Sequence, residues 1–207
     1  VRVSTDHGAT FSESLNLDTL HPSNIADTHW HAVAIDPWHD GANPRLYASH
    51  GDGPRGVYYS DDLGENWTLL RNDWQPMALV ATEAGLVTAT DANDPDGVWL
   101  IPREDTSTRT QLYRIPAPYW SNSLLGFGLK AHRDPATGIV YITFRVDTLA
   151  SIGKNLRGMI FATDGRRAAL VYETELAATT GQNVTFDSPA TLPDGTLLVS
   201  YLVPGSA

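Results

Sequence analysis

Gly56-Val57-Tyr58-Tyr59-Ser60-Asp61-Asp62-Leu63-Gly64-Glu65-Asn66-Trp67 decides how the rest of the chain is read. Val57 to Tyr59 is a β-branched and aromatic strand, and Trp67-Thr68-Leu69-Leu70 is its antiparallel partner. The turn between them has its own chemistry. Ser60 and Asp62 are placed to hydrogen-bond backbone amides, Gly64 supplies a position with φ above zero, and the Trp67 indole covers the hairpin. The N-terminus repeats the spacing as Ser4-Thr5-Asp6-His7-Gly8-Ala9-Thr10-Phe11, with Phe in place of Trp.

Outward from this hairpin the same strand recurs. Segments 1–3, 56–59, 97–100 and 158–161 are alike, and the glycines at 56, 97 and 158 lie 41 and 61 residues apart. A strand ending on a small residue precedes each of the last three (46–49, 86–89, 140–143), and 197–200 is a fourth of the kind. Inner strands are expected at 30–35, 77–81, 126–131 and 184–188, and outermost ones at 11–15, 67–70, 111–115 and 169–172. No window of helical periodicity competes with them.

The spacing Ser-x-Asp-x-Gly-x-x-Trp resembles the Asp box, the hairpin turn of BNR-type repeats. Such repeats occur in sialidases, sortilin-like ectodomains, other glycoside hydrolases and phage tail proteins. The resemblance implies an all-β chain folded as a β-propeller of four-stranded antiparallel blades, one domain over residues 1–207. Three blades would be complete, flanked by the outer half of one blade and the inner half of another. Two expectations follow for those halves. Strands 184–202 pair with strands 1–15 to close a four-bladed ring, or the chain is part of a propeller of six or seven blades, as its start at Val1 also suits.

Composition narrows the function. Charged residues make up 18% and hydrophobic residues 42% of 207, which is globular rather than disordered. A formal charge of −10 disfavours nucleic acid, whose phosphates need a cationic face, and an anionic membrane surface. No apolar run approaches the ~18 residues that span a bilayer. With no Cys, neither disulfides nor thiolate metal sites contribute.

In propellers, the loops joining second to third strands gather at one mouth of the central channel. That register sends His50-Gly51-Asp52, Asp91, Arg145-Val146-Asp147 and the Tyr201 region to the mouth. Strand alternation adds His29 and His31 on one face. His29, His31, Asp36, His50 and Asp52 form the densest group of polar ligands in the sequence. They read as a polar sugar-binding mouth, as a metal site needing a further converging ligand, or as strand-end caps bonded to neighbouring backbone. The expected ligand-binding set is His29, His31, His50, Asp52, Asp91, Arg145 and Asp147. No metal or other cofactor is expected; the acidic stretch from Asp91 to Gly97 carries oxygen ligands suited to Ca²⁺ but not EF-hand spacing.

Tyr113-Arg114-Ile115-Pro116 resembles the sialidase motif whose Arg clamps a sialic-acid carboxylate, and Phe144-Arg145-Val146-Asp147 resembles the later segment with a second Arg and an acid. That makes Arg114, Arg145 and Asp147 the candidate catalytic residues. A third Arg and the nucleophilic Tyr/Glu pair have no counterpart. The stretch His31 to Trp38, followed by Gly53 to Asp62, resembles the repeat unit of Asp-box tail or virion-associated proteins of phages of actinobacteria. The expectation is therefore a non-catalytic propeller whose mouth binds cell-surface glycan, on a virion or in a secreted protein. A sialidase-like exoglycosidase and a purely architectural module, holding other virion proteins or further blades, are the alternatives.

Overall fold

The computed structural model describes residues 1–22, 27–91, 97–115, 124–148, 151–174 and 185–202. Strands dominate. A first two-stranded sheet pairs β1 (Arg2–Val3) with β2 (Ser12–Glu13), and a single-turn helix α1 (Leu17–Leu20) follows, capped by the Asn16 side chain. Next come β3 (His29–Asp36), β4 (Arg45–Gly51), β5 (Gly56–Ser60) and β6 (Thr68–Arg71), in that order across one antiparallel sheet. β7 (Pro76–Thr82), β8 (Gly85–Thr90), β9 (Gly97–Pro102) and β10 (Thr110–Arg114) form the second. β11 (Leu124–Arg133), β12 (Val140–Thr148), β13 (Ser151–Thr163) and β14 (Ala168–Glu173) form the third. β15 (Thr185–Thr191) and β16 (Leu197–Leu202) make a last pair. Each sheet is thus a meander in chain order, as the recurring strand pattern anticipates.

Two sequence expectations need correction. Strands 184–202 and 1–15 do not pair: they form two separate two-stranded sheets among the described residues. Arg145, Val146 and Asp147, expected in a mouth loop, lie inside β12, where Arg145 is opposite Phe127 and Gly158. β12 and β13 run on past the length of their counterparts and keep that segment in the ladder.

The sheets stack through their first strands. β7 lies against β3 and β4, β11 against β7 and β8, and β15 against β11 and β12, a propeller-like arrangement. Tyr47, Val57, Trp74, Leu79, Leu86 and Ile101 fill the space between the first and second sheets. Ala78, Val87, Ala89, Val98, Leu100, Phe144, Met159 and Phe161 fill that between the second and third. Leu15, Ala48 and Tyr58 carry the N-terminal hairpin on the far face of the first sheet.

The two Ser-x-Asp turns are built alike. Ser60 Oγ donates to Asp62 Oδ1 (2.7 Å) and accepts from Gly64 N–H (2.8 Å), while Asp62 Oδ1 accepts from Asn66 N–H (2.9 Å). Ser4, Asp6, Gly8 and Thr10 repeat these bonds at 2.7, 2.8 and 2.9 Å. Leu63 and Gly64 have φ of 60° and 92°, and His7 and Gly8 have 59° and 86°. Hydrogen bonds from Asn66, and from Thr10 in the other copy, hold Asp62 and Asp6 down at about 2. The copies differ in burial. The Trp67 indole N–H donates to Ser14 Oγ (2.9 Å), whereas Phe11 is 60% exposed.

That difference predicts unequal mutations. Ser60→Ala strands the buried Gly64 N–H and should cost ~1–3 kcal/mol, the penalty of an unsatisfied buried donor. Ser4→Ala leaves an amide that water reaches, so it should stay within ~0.5 kcal/mol of the parent. Urea unfolding of the two variants checks the pair.

Candidate functional site

A polar inter-sheet junction lies where β3 begins, β4 ends, β7 begins and β8 ends. A β-bulge between Trp30 and Ala32 shapes it. Strict alternation would put His31 with Val33 and Ile35, which are 63% and 65% exposed. The bulge adds one residue, so His31 turns toward the second sheet together with Ala32 and Ala34. There its Nδ1 lies 3.3 Å from the Pro76 carbonyl, which fixes the proton on Nδ1. Nε2 is consequently the lone-pair nitrogen. It has no hydrogen-bond partner, and it faces Asp91 Oδ2 at 3.9 Å.

Around His31 the other groups interlock. His29 stands beside it with ring centroids 4.9 Å apart, and His29 Nδ1 is 3.3 Å from Asp52 Oδ2. Gln75 ties the loops together: its Oε1 accepts from Asp52 N–H (3.0 Å), and its Nε2 donates to Asp91 Oδ2 (2.8 Å) and Asp52 Oδ1 (3.3 Å). Asp52 sits at φ 74°, which turns its carboxylate back over the junction. Gly51 makes the approach possible, since a Cβ there would lie 2.5 Å from His31 Cε1 and 2.7 Å from Gln75 Oε1. Burial is the main cause that lowers the His31 pKa; Asp91 pulls the other way, and His29 adds to the lowering. The imidazole is therefore neutral near pH 7. The His31 side chain is 1% exposed, whereas His29 and Asp52 are 58% and 42% exposed, so the group has a dry floor and an open rim.

The other expected members are elsewhere. His50 is on the opposite face of the first sheet, packed edge-on against Trp30 and stacked on Tyr58, with its Nε2 3.3 Å from His21 Nε2. Burial, with His21 next, pushes its pKa down to about 4. Asp36 is at the far end of β3, roughly 23 Å along an eight-residue strand. It is fully buried and grips Arg103 through both carboxylate oxygens, at 2.5 and 3.0 Å. Both residues are corrections to the grouping read from sequence: strand alternation separates His50, and strand length separates Asp36.

Arg114 is exposed on the outermost strand of the second sheet, opposite Gly97, and Arg145 is on the second strand of the third. Asp147 is described only in its backbone, opposite Leu125 and Asn155. Residues 92–96 of the acidic stretch lie outside the described residues. Gln75 was missed by sequence reasoning because its partners come from two other strands. Its one signal is a polar side chain between Trp74 and Pro76 at the head of an apolar strand.

Among the described residues no helix is long and apolar enough to cross a membrane. No family model matches the chain, and no curated protein is found similar to it.

Proposed function

We propose that this chain is a run of Asp-box propeller blades whose channel mouth binds a cell-surface glycan, as part of a phage tail or virion or of a secreted protein. The observation that carries the reading is the junction of His29, His31, Asp52, Gln75 and Asp91. It gathers donors and acceptors from four strand ends of two stacked sheets. An open rim of donors and acceptors over a buried floor suits recognition of sugar hydroxyls. Two supports come from the fold. The Ser4 and Ser60 turns share three hydrogen bonds, serine to aspartate, glycine N–H to serine and the later N–H to aspartate, as repeats of one box would. Val33 and Ile35 leave an apolar strip beside a groove of about 610 Å³, the kind of face that a neighbouring blade covers.

A glycan array and whole-cell binding test the proposal. The parent chain should retain a defined set of glycans, and His29→Ala and Asp52→Ala should both lose them while unfolding at the parent's urea midpoint. Blank arrays and blank cells, together with turnover of 4-methylumbelliferyl glycosides that Arg114→Ala abolishes, would overturn it in favour of a sialidase-like enzyme.

A further inference from the structure

We infer that His29, His31 and Asp52 form a binding site for one divalent transition-metal ion of the zinc class. One ligand atom from each residue, all within 4.8 Å of one another, bounds a space of the right size. The closest pair, His29 Nδ1 and Asp52 Oδ2 at 3.3 Å, matches the ~3.3 Å between ligand atoms on a tetrahedral ion with bonds of ~2.0–2.1 Å. His29 Nδ1 also lies 3.3 Å from the Asp27 carbonyl, so taking up an ion releases that contact and the proton on this nitrogen.

The independent pointer is His31. A side chain that is 1% exposed and ends in a nitrogen with no hydrogen-bond partner costs free energy unless something fills that position. Because the Pro76 carbonyl holds the proton on Nδ1, the orphan Nε2 carries its lone pair into the cluster. A backbone carbonyl bonded to the far nitrogen is the outer-shell arrangement found behind metal-bound imidazoles. Asp52 is oriented in the same way, its N–H and Oδ1 both taken by Gln75, which leaves Oδ2 facing His29.

Charge and ligand type select the ion. The acidic side chains of Asp52 and Asp91 stand beside the two imidazoles, Asp52 Oδ2 3.3 Å from His29 and Asp91 Oδ2 3.9 Å from His31, a setting that favours a cation. A set of two nitrogens and one oxygen suits Zn²⁺, Ni²⁺, Co²⁺ or Cu²⁺ rather than the all-oxygen preference of Ca²⁺ and Mg²⁺. Three protein ligands leave a coordination position open, on the side where His29 and Asp52 meet solvent. The site stands whether or not the mouth binds glycan, and its test contains no carbohydrate.

The experiment is a calorimetric titration of the full, chelator-stripped chain with ZnCl₂, repeated with CaCl₂ and MgCl₂, and followed by ¹⁵N NMR of the histidine rings. One Zn²⁺ per chain should bind, Ca²⁺ and Mg²⁺ should not displace it, and His31 Nε2 should shift while its Nδ1 proton persists. His29→Ala and Asp52→Ala alter rim side chains, so they keep the test valid even where His31→Ala fails to fold. Each should weaken Zn²⁺ binding by at least ~100-fold, the upper end of what loss of an outer-shell partner costs. His21→Ala, which removes the other close histidine pair, should change nothing. Absence of a one-to-one site, unaltered affinity in His29→Ala or Asp52→Ala, or loss in His21→Ala would each overturn the inference.

Discussion

Arg103→Ala should destabilise the chain by ~3–5 kcal/mol, the cost of leaving a buried charge without its partner. The pair is an inter-sheet clamp. Asp36 closes β3 in the first sheet with its side chain 1% exposed, and Arg103 follows β9 in the second. The guanidinium also donates to the Thr82 carbonyl (2.6 Å) and the Glu83 carbonyl (3.2 Å), which fastens the turn between β7 and β8. The remaining capacity of Asp36 Oδ1 is met by Trp38 N–H at 2.9 Å. Removing the arginine therefore strands the buried Asp36 carboxylate and the Thr82 carbonyl at once, while water reaches the exposed Glu83 carbonyl. Replacing both partners, as in Asp36→Leu with Arg103→Met, removes the charge together with its counter-charge and should recover most of the loss. Urea denaturation of both single mutants and the double mutant forms a cycle. A single-mutant cost below ~1 kcal/mol, typical of exposed pairs, would show that solvent screens the clamp.

The strands were legible in the sequence, and the faces were not. Turn chemistry at Ser60-Asp61-Asp62-Leu63-Gly64 located a hairpin because Leu63 and Gly64 take positive φ there, and of the recurring glycines Gly97 is held by its φ of 153° whereas Gly158 is held by packing against the Phe186 ring. Alternation failed as a guide in the second sheet for a physical reason. Leu79, Leu86 and Ile101 face the first sheet, while Ala78, Val87 and Val98 face the third, so both faces are apolar and no period of two survives. At the site, His29 and His31 could be paired from spacing. That His31 turns inward could not, because it depends on a bulge that no local residue type announces. Gln75 and Arg103 escaped for a similar reason: each acts by joining loops from different sheets, and that proximity exists only once the sheets have stacked.

The packing of the third sheet on the second includes one close approach, and Gly128→Val should be the most damaging substitution at it. Gly128 in β11 passes so near β8 that an added Cβ would lie 2.2 Å from the Ala89 Cβ, 3.2 Å from the Ala89 carbonyl carbon and 3.0 Å from Phe144 Cζ. Ala89 and Phe144 are both fully buried, so neither has open space to retreat into. Overpacking a filled core costs ~1–3 kcal/mol and more where backbone must move. Gly128→Ala should fall in that range, and Gly128→Val, with two further methyl groups, should exceed ~3 kcal/mol. The contact is pairwise, which gives a sharper test than the single costs. Ala89→Gly alone should lose about 1 kcal/mol through strand flexibility and lost packing. Combined with Gly128→Ala it vacates the space that the new methyl needs, so the double mutant should be more stable than Gly128→Ala alone. Non-additivity of this sign is expected for residues in direct contact. If Ala89→Gly instead adds its own cost to that of Gly128→Ala, the two sheets are not held apart by these atoms, and the packing of β11 on β8 is looser than the 2.2 Å separation implies.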